Sequence, residues 1–350
     1  MCRQVEQGGT FTPDLPFHMV WLSTNACQLR CLHCSSNSSR RAADELTTGE
    51  VFRLIDQLAD AGIVDFGISG GEPFIRDDIM RIVAYARRCG MAVGVASHGA
   101  NFSAARADKL AELEVGRIQF SLDGLASSHD ALRQLSGLHR RVLNSIETAK
   151  RAGLRVHVCC TINSLNVDHL SEFVEFLAAI NIDRLNFSRF IPTGRGSDRL
   201  DISDRQWRDV IEHCRRLARQ YDGRLEIVSH LAQQILVDDV VGDIPGFVGC
   251  QAGRGQGCVS ANGTVFPCVL LPIPIGNIRE TSFRQIWETS TVISELRERT
   301  RLEGKCLRCA VRAQCGGCRA IAYARTGRYL AEDPRCWLTH DHQPSADFRC

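Results

Sequence analysis

The sequence predicts an α/β fold: an open, partial (β/α)6 barrel followed by a smaller cysteine-rich domain. Three observations carry this reading. Six short apolar runs alternate with amphipathic helical stretches, the pattern of parallel βαβ crossovers. The rhythm fades near residue 195, short of what a closed eightfold barrel needs. After residue 250, cysteine and glycine replace helical periodicity.

Residues 1–16 read as a polar, proline-punctuated tail. Strands are expected at Met19–Leu22, Val64–Ile68, Met91–Val95, Arg117–Phe120, Val156–Val158 and Leu185–Phe187. Helices are expected over 47–61, 76–89, 103–113, 139–152 and 167–180. Gly62, Gly90, Gly116 and Gly153 each follow a helical stretch, where a left-handed cap is wanted. Residues 17–195 thus form the barrel, and 196–249 a bridging region with a helix near 203–220 and a short strand near 225–229. Residues 250–338 form a second domain, expected to be held by metal rather than by a large core, and 339–350 a tail. In such barrels the chemistry sits at the carboxyl ends of the strands.

The chain has 350 residues, 44% hydrophobic and 23% charged, with a formal net charge of +2. That balance offers no field for nucleic acid or an anionic membrane. No apolar run approaches the ~18 residues of a spanning helix, and no export leader is seen. A cytoplasmic protein without nucleic-acid or membrane partners is expected. Seventeen cysteines are the outlier. Without an export signal, metal binding is a better reading than disulfides.

Cys27-x3-Cys31-x2-Cys34 directly follows the first strand. Three thiolates can hold three irons of a 4Fe–4S cubane and leave the fourth open, whereas ordinary iron–sulfur proteins supply four cysteines. An open iron can chelate an amine and a carboxylate. A zinc loop with a distant fourth ligand would use the same residues. The second strand ends in Gly70-Gly71-Glu72-Pro73, either a plain turn or a close backbone approach with a carboxylate for an ammonium group. Ser97-His98-Gly99 ends the third strand. Ser121-Leu122-Asp123-Gly124 ends the fourth, as a helix N-cap turn or a polar pair facing a ribose.

In this order on these strands, the residues resemble the radical S-adenosylmethionine (radical SAM) superfamily. The resemblance covers about residues 17–195 and implies that family's partial (β/α)6 barrel. It implies Cys27, Cys31 and Cys34 as ligands of a 4Fe–4S cluster with an open iron. Gly70, Gly71, Glu72 and Pro73 would serve the methionine amino group, with Ser121 and Asp123 near the ribose. It further implies reductive cleavage of S-adenosylmethionine to a 5′-deoxyadenosyl radical that abstracts a substrate hydrogen. A low-potential donor such as flavodoxin or ferredoxin would supply the electron. Ser97-His98-Gly99 departs from the family's common Thr-Asn-Gly turn; Ser97 is kept as a cofactor-facing residue, and the role of His98 stays open. His33 fills a position that is often aromatic.

The later spacing is Cys250-x7-Cys258-x9-Cys268, then Cys306-x2-Cys309-x5-Cys315-x2-Cys318-x17-Cys336. Eight cysteines suit two fully ligated 4Fe–4S clusters, or equally two structural zinc sites. Gly263-x4-Cys268 and the Cys306–Cys318 block resemble the SPASM domain, with two rather than three residues between Cys315 and Cys318. By that resemblance, Cys250, Cys258, Cys268 and Cys318 hold an inner auxiliary 4Fe–4S cluster. Cys306, Cys309, Cys315 and Cys336 hold an outer one. Such interleaved ligands imply a domain that does not fold without its metal.

Six cysteines remain: Cys2, Cys89, Cys159, Cys160, Cys214 and Cys350. Cys159 and Cys160 are adjacent on strand five and face opposite sides, so one of them can enter the barrel. A barrel-facing thiol could return a hydrogen atom to a substrate radical; ordinary packing is the plain alternative.

The substrate is read from weaker signals. Peptide-modifying members often carry an N-terminal peptide-binding domain, and only about sixteen residues precede the first strand here. Members that oxidise a serine or cysteine side chain often carry Asp where this chain has Val269. The stretch Cys315–Ala320 with Ala331–Cys336 resembles the tetrapyrrole branch, which removes or remodels carboxylate side chains in haem and haem d1 synthesis. Nucleoside-sugar decarboxylases are similar in size. Arg189 and Arg195 follow strand six and could clamp a carboxylate, or be solvated. The Phe187–Gly196 stretch is expected to loop over the barrel mouth. The leading expectation is radical decarboxylation of a small, carboxylate-bearing metabolite. Alternatives are a dehydrogenase or epimerase of a sugar-like natural product, and a peptide maturase with a separate carrier. A non-enzymatic zinc module and a pure electron carrier are the rivals outside that class.

Overall fold

The computed structural model describes residues 14–229, 232–237 and 247–338. The C-terminal tail 339–350, most of the N-terminal tail 1–16, Cys2 and Cys350 lie outside the described residues. The barrel runs β1 (His18–Leu22), α1 (Thr48–Asp60), β2 (Asp65–Ser69), α2 (Ile79–Arg88), β3 (Ala92–Ser97), α3 (Ala104–Glu112) and β4 (Arg117–Ser121). It continues with α4 (Ala126–Arg133), α5 (Leu138–Arg151), β5 (Val156–Ile162), α6 (Leu170–Ala179) and β6 (Arg184–Arg189). Each of β1 to β6 pairs in parallel with the next. The strand order is linear, with no pairing between its two ends, so the barrel is partial and open.

Buried and half-buried residues alternate along β1, β2, β4 and β6. Met19, Trp21, Phe66, Ile68, Ile118 and Phe120 face the helices and join one core. Helix α1 contributes Val51, Leu54, Ile55 and Leu58, one helical stripe, and a Thr47–Glu50 capping box fixes its start. Burying each such side chain contributes about 1.5–3 kcal/mol. The half-buried alternates, among them Gln119, Ser121 and Ser188, face the barrel interior.

Helix α4 escapes the sequence reading because it is short and buries only His129, Leu132 and Arg133. Gly62, Gly90 and Gly153 are left-handed as expected, but Gly116 is not. Helix α3 ends at Glu112, so the second residue past its end is Glu114, which takes φ 51° instead. The helix expected from residue 76 starts at Ile79, because Pro73–Ile75 make a separate 3-10 turn.

After the barrel come α7 (Asp204–Gln220), β7 (Glu226–Val228), β8 (Gln256–Val259), β9 (Thr264–Phe266) and β10 (Gly276–Asn277). Then follow α8 (Phe283–Thr289), α9 (Thr291–Arg297), α10 (Gly304–Arg308), α11 (Arg312–Cys315) and α12 (Arg319–Thr326). Strand β7 extends the sheet beyond β6, and β8 pairs in parallel with β1 at the other edge. The expectation of a second domain held by metal rather than by a large core is therefore corrected for its first part. Val259, Val265, Ile278, Phe283, Ile286, Trp287 and Ile293 belong to the barrel's own core. The later cysteine-rich helices pack with Ile191, Ala232 and Ile235 in separate small clusters.

Candidate active site

A cavity of about 280 Å³ opens at the carboxyl ends of the strands. The loop after β1 gives it Cys27, Cys31, His33 and Cys34, and β2 ends on it with Ser69, Gly70 and Gly71. Ser97 and His98 come from β3, Gln119 and Ser121 from β4, Cys159 and Thr161 from β5, and Ser188 and Arg189 from β6. Val269 and Leu270 of the cysteine-rich region close one side.

The cysteine loop is held from several directions. Arg195 Nε donates to the Cys31 carbonyl (3.1 Å), and its Nη1 to the Ser38 carbonyl (2.8 Å) and Asn37 Oδ1 (3.1 Å). Arg195 is thus half-buried, engaged with the cysteine loop, and on the cavity lining. Gly194, at φ 59°, lies so close that a Cβ would sit 2.4 Å from the Cys34 and Ser35 carbonyl oxygens. The segment after β6 therefore packs down on the cysteine loop. Gly70 and Gly71 do the same from β2: a Cβ on Gly71 would be 2.1 Å from the Ala26 carbonyl oxygen. Gly71 N donates to the Thr24 carbonyl (2.7 Å) and Glu72 N to that of Ala26 (2.8 Å).

Glu72 turns away from the cavity. It accepts from Ser97 Oγ (2.9 Å) and His98 N (3.0 Å), and His98 Nε2 lies 3.2 Å off. His98 Nδ1 accepts from Ala100 N (3.0 Å), which leaves Nε2 carrying the proton of the neutral ring. Burial lowers the His98 pKa despite Glu72. Pro73 starts the 3-10 turn and is buried. Asp123 also lies one layer behind the wall, at 0% exposure. It accepts from Arg133 Nε (2.7 Å) and Thr161 N (2.8 Å), with His33 Nε2 3.9 Å away. Burial would raise the Asp123 pKa, but Arg133 and His33 hold it below the usual carboxylate value. Arg133, on the unforeseen helix α4, does reach the cavity, and its Nη1 is 3.8 Å from Cys31 Sγ.

The three thiols differ. Burial pushes Cys27 up to about 11 and also raises Cys31. Burial raises Cys34 too, but hydrogen bonds from Ser36 and Ser38 and the charge of Arg195 outweigh it. A bound metal would deprotonate all three. Three cysteines beside two arginines and polar strand ends form a donor set that fits an anionic cluster with a small polar ligand.

On β5, Cys159 lines the cavity, while Cys160 faces the helix layer, fully buried, with Asn166 Nδ2 3.6 Å from its sulfur. Burial pushes Cys159 up to about 12, so it stays a thiol. Arg189 is buried at the cavity wall. Its Nη1 donates to Asp333 Oδ2 (3.3 Å) and Gln233 Oε1 (3.4 Å), and its guanidinium stacks 4.9 Å over Trp207. Its Nη2 is buried and has no hydrogen-bond partner among the described residues. The sequence reading missed Arg133 and the Asp333 bond, and no spacing signal links residues so far apart.

The later cysteines form two groups. Cys306, Cys309, Cys315 and Cys336 line a small cavity of about 50 Å³. Cys250, Cys268 and Cys318 line another of about 220 Å³, and the buried Cys258 feels the charge of Cys268. Ser188 and Leu270 line both this second cavity and the barrel cavity. Backbone and side-chain N–H groups point at these sulfurs: Asp333 N at Cys306 (3.3 Å), Gly317 N at Cys315 (3.4 Å) and Gln256 Nε2 at Cys268 (3.4 Å). Among the described residues no three metal-ligating side chains converge on a single ion. A cubane takes each thiolate on a different iron, so its cysteines need not converge.

This fold and site define an iron–sulfur radical enzyme, and the chain belongs to the radical SAM superfamily. Residues 21–221 match that superfamily's model, and residues 250–310 match the SPASM iron–sulfur cluster-binding domain. The chain is 32% identical to the AdoMet-dependent heme synthase of Methanosarcina barkeri, over 92% of this chain and 97% of that protein. It is 31% identical to the mycofactocin maturase MftC of Mycobacterium tuberculosis, over 96% of this chain and 86% of that one. In fold it is similar to Streptococcus suis SuiB bound to S-adenosylmethionine, with a TM-score of 0.76 at 18% identity, over 93% of this chain and 78% of SuiB. Membership brings S-adenosylmethionine, a 4Fe–4S cluster and auxiliary clusters as cofactors. Among the described residues no helix is long and apolar enough to cross a membrane.

Proposed function

We propose that this chain abstracts a hydrogen atom from a small, carboxylate-bearing molecule and that the carboxylate then leaves as CO2, an auxiliary iron–sulfur cluster serving as the oxidant that takes up the electron left behind. Arg189 carries this reading. It is a buried cation at the wall of the barrel cavity, and a guanidinium there suits a carboxylate ligand. Two relatives support the substrate class: the heme synthase above and the pre-heme d1 synthase of Dinoroseobacter shibae, 28% identical over 92% of this chain. The C-terminal residues that resemble the tetrapyrrole branch agree.

Cys27, Cys31 and Cys34 would hold the first cluster, with Gly70, Gly71, Ser97 and Ser121 around S-adenosylmethionine. When bound, these groups supply the 5′-deoxyadenosyl radical. Cys250, Cys258, Cys268 and Cys318 would hold the inner auxiliary cluster, and Cys306, Cys309, Cys315 and Cys336 the outer. Arg189, which lines the cavity, would meet the substrate carboxylate, while Asp333 holds its Nη1. Val269 and Leu270 give the cavity an apolar wall and no acid–base group. Arg133 keeps a positive charge beside Cys31. Cys159 holds a hydrogen atom on Sγ within the same cavity. Flavodoxin or ferredoxin would be the electron donor.

The test is anaerobic reconstitution with dithionite and S-adenosylmethionine, followed by carboxylated tetrapyrroles. About twelve irons per chain are expected, from three four-iron clusters. 5′-Deoxyadenosine and CO2 should form together. 5′-Deoxyadenosine that rises only with a peptide would favour the maturase reading that MftC suggests. Zinc without iron, and no cleavage, would overturn the enzyme.

A further inference from the structure

Between the two later cysteine groups lies Arg299, a cation the proposed reaction does not use. It is buried, and its Nε and Nη1 have no hydrogen-bond partner among the described residues. Its Nη2 donates to the Cys250 carbonyl (2.7 Å). The guanidinium packs under Gly316, where a Cβ would sit 2.3 Å from Arg299 Cζ. Gly316 lies between Cys315 of one group and Cys318 of the other, and the Cys250 N–H bonds the Cys315 carbonyl (3.0 Å), so the groups abut here. The titratable groups near Arg299 are the thiols of Cys250, Cys306 and Cys315, together with two more buried cations, Arg319 and Arg254. Among the described residues no carboxylate forms an ion pair with it.

An isolated guanidinium in this setting is expensive. It persists where an anion outside the protein's own side chains balances it. Fully thiolate-ligated iron–sulfur clusters are anions, and their potentials follow nearby charge and hydrogen bonds to sulfur. We propose that Arg299 is a shared counter-cation of the two auxiliary clusters and raises the reduction potential of both. This rests on the reading that the eight later cysteines hold clusters. Reduction adds negative charge to each cluster, and a fixed positive charge stabilises the reduced form. Removing that charge makes both harder to reduce.

The experiment is potentiometric titration, followed by electron paramagnetic resonance, on the reconstituted full chain and two variants. Arg299→Gln should lower both auxiliary midpoints by at least a tenfold change in the reduction equilibrium, about 59 mV for one electron. The N-terminal cluster should stay at its wild-type value. Arg299→Lys keeps a charge, but one ammonium cannot serve both groups, so one auxiliary midpoint should hold while the other falls. If Arg299→Gln does not retain auxiliary iron, the Lys variant decides alone. Variants with full iron and unchanged auxiliary midpoints overturn the proposal and leave the cluster reading standing. Wild-type protein with only about four irons overturns both.

Discussion

Arg189 Nη1 donates to Asp333 Oδ2 at 3.3 Å, a bond between residues 144 apart. It ties the end of the last barrel strand to the cysteine-rich region. The same carboxylate oxygen accepts from Cys318 N (2.8 Å) and Gln233 Nε2 (3.2 Å), and Asp333 N points at Cys306 Sγ. One buried aspartate thus contacts the arginine at the cavity wall and a cysteine from each later group.

Asp333→Asn removes the charge that balances Arg189 in a buried setting, so it should destabilise the fold by about 3–5 kcal/mol. Anaerobic denaturant unfolding of the reconstituted protein measures this. The conservative change should also weaken iron retention, because Asn keeps the shape but not the anion. An unchanged unfolding midpoint would remove Asp333 as the link.

Gly194→Ala combines a left-handed backbone with a Cβ inside contact distance of two carbonyl oxygens. The Cys31–Cys34 turn must shift to admit it. The variant should therefore lose 5′-deoxyadenosine formation at least tenfold while keeping its auxiliary iron. Iron analysis with a cleavage assay separates the two, and a fully active variant would show that the loop tolerates the shift.

The barrel was legible because its signals are local. Alternating burial and helix-end glycines fix β1 to β6 and most of the helices. The cavity-facing residues were legible wherever strand-end position alone decides them, as for the three cysteines, Ser97 and Ser121. Glu72 and Asp123 sit at equally good strand ends, yet their side chains turn to partners elsewhere in the chain, Ser97 and Arg133. Arg195 and Asp333 escaped for the same reason: their bonds span more than 100 residues. The pairing of β8 with β1 joins distant segments too, and so hid the continuity of barrel and cysteine-rich region.

Cys159 and Cys160 allow an internal comparison. Cys159→Ala should leave stability within about 1 kcal/mol, because its side chain borders a cavity. If its hydrogen is used, deuterium incorporation into product from labelled solvent should fall. Cys160→Ser puts a hydroxyl in the helix-layer core and should cost about 1–3 kcal/mol with no change in labelling. Equal labelling in wild type and Cys159→Ala would return Cys159 to a packing role.

His129 sets a pH limit on the barrel. It is fully buried; its Nδ1 accepts from Asp123 N (3.0 Å), and its Nε2 has no partner among the described residues. Burial, with Arg133 nearby, pushes its pKa down to about 3. The unfolded chain takes up a proton near pH 6.5, and the folded one does not until about pH 3. The stabilisation is therefore complete above about pH 6.5 and is lost as pH falls through the window between these values. At pH 5 the loss is about 2 kcal/mol for this one residue. Burial of His33 and His157, each pushed down to about 4, adds losses of the same sign. His129→Asn keeps an acceptor for Asp123 N but cannot titrate. Its denaturant midpoint should fall less than that of wild type between pH 7.5 and pH 5, by that same ~2 kcal/mol. Parallel curves for the two proteins would mean that His129 takes up its proton at the same pH in the folded as in the unfolded chain, and that burial does not depress it.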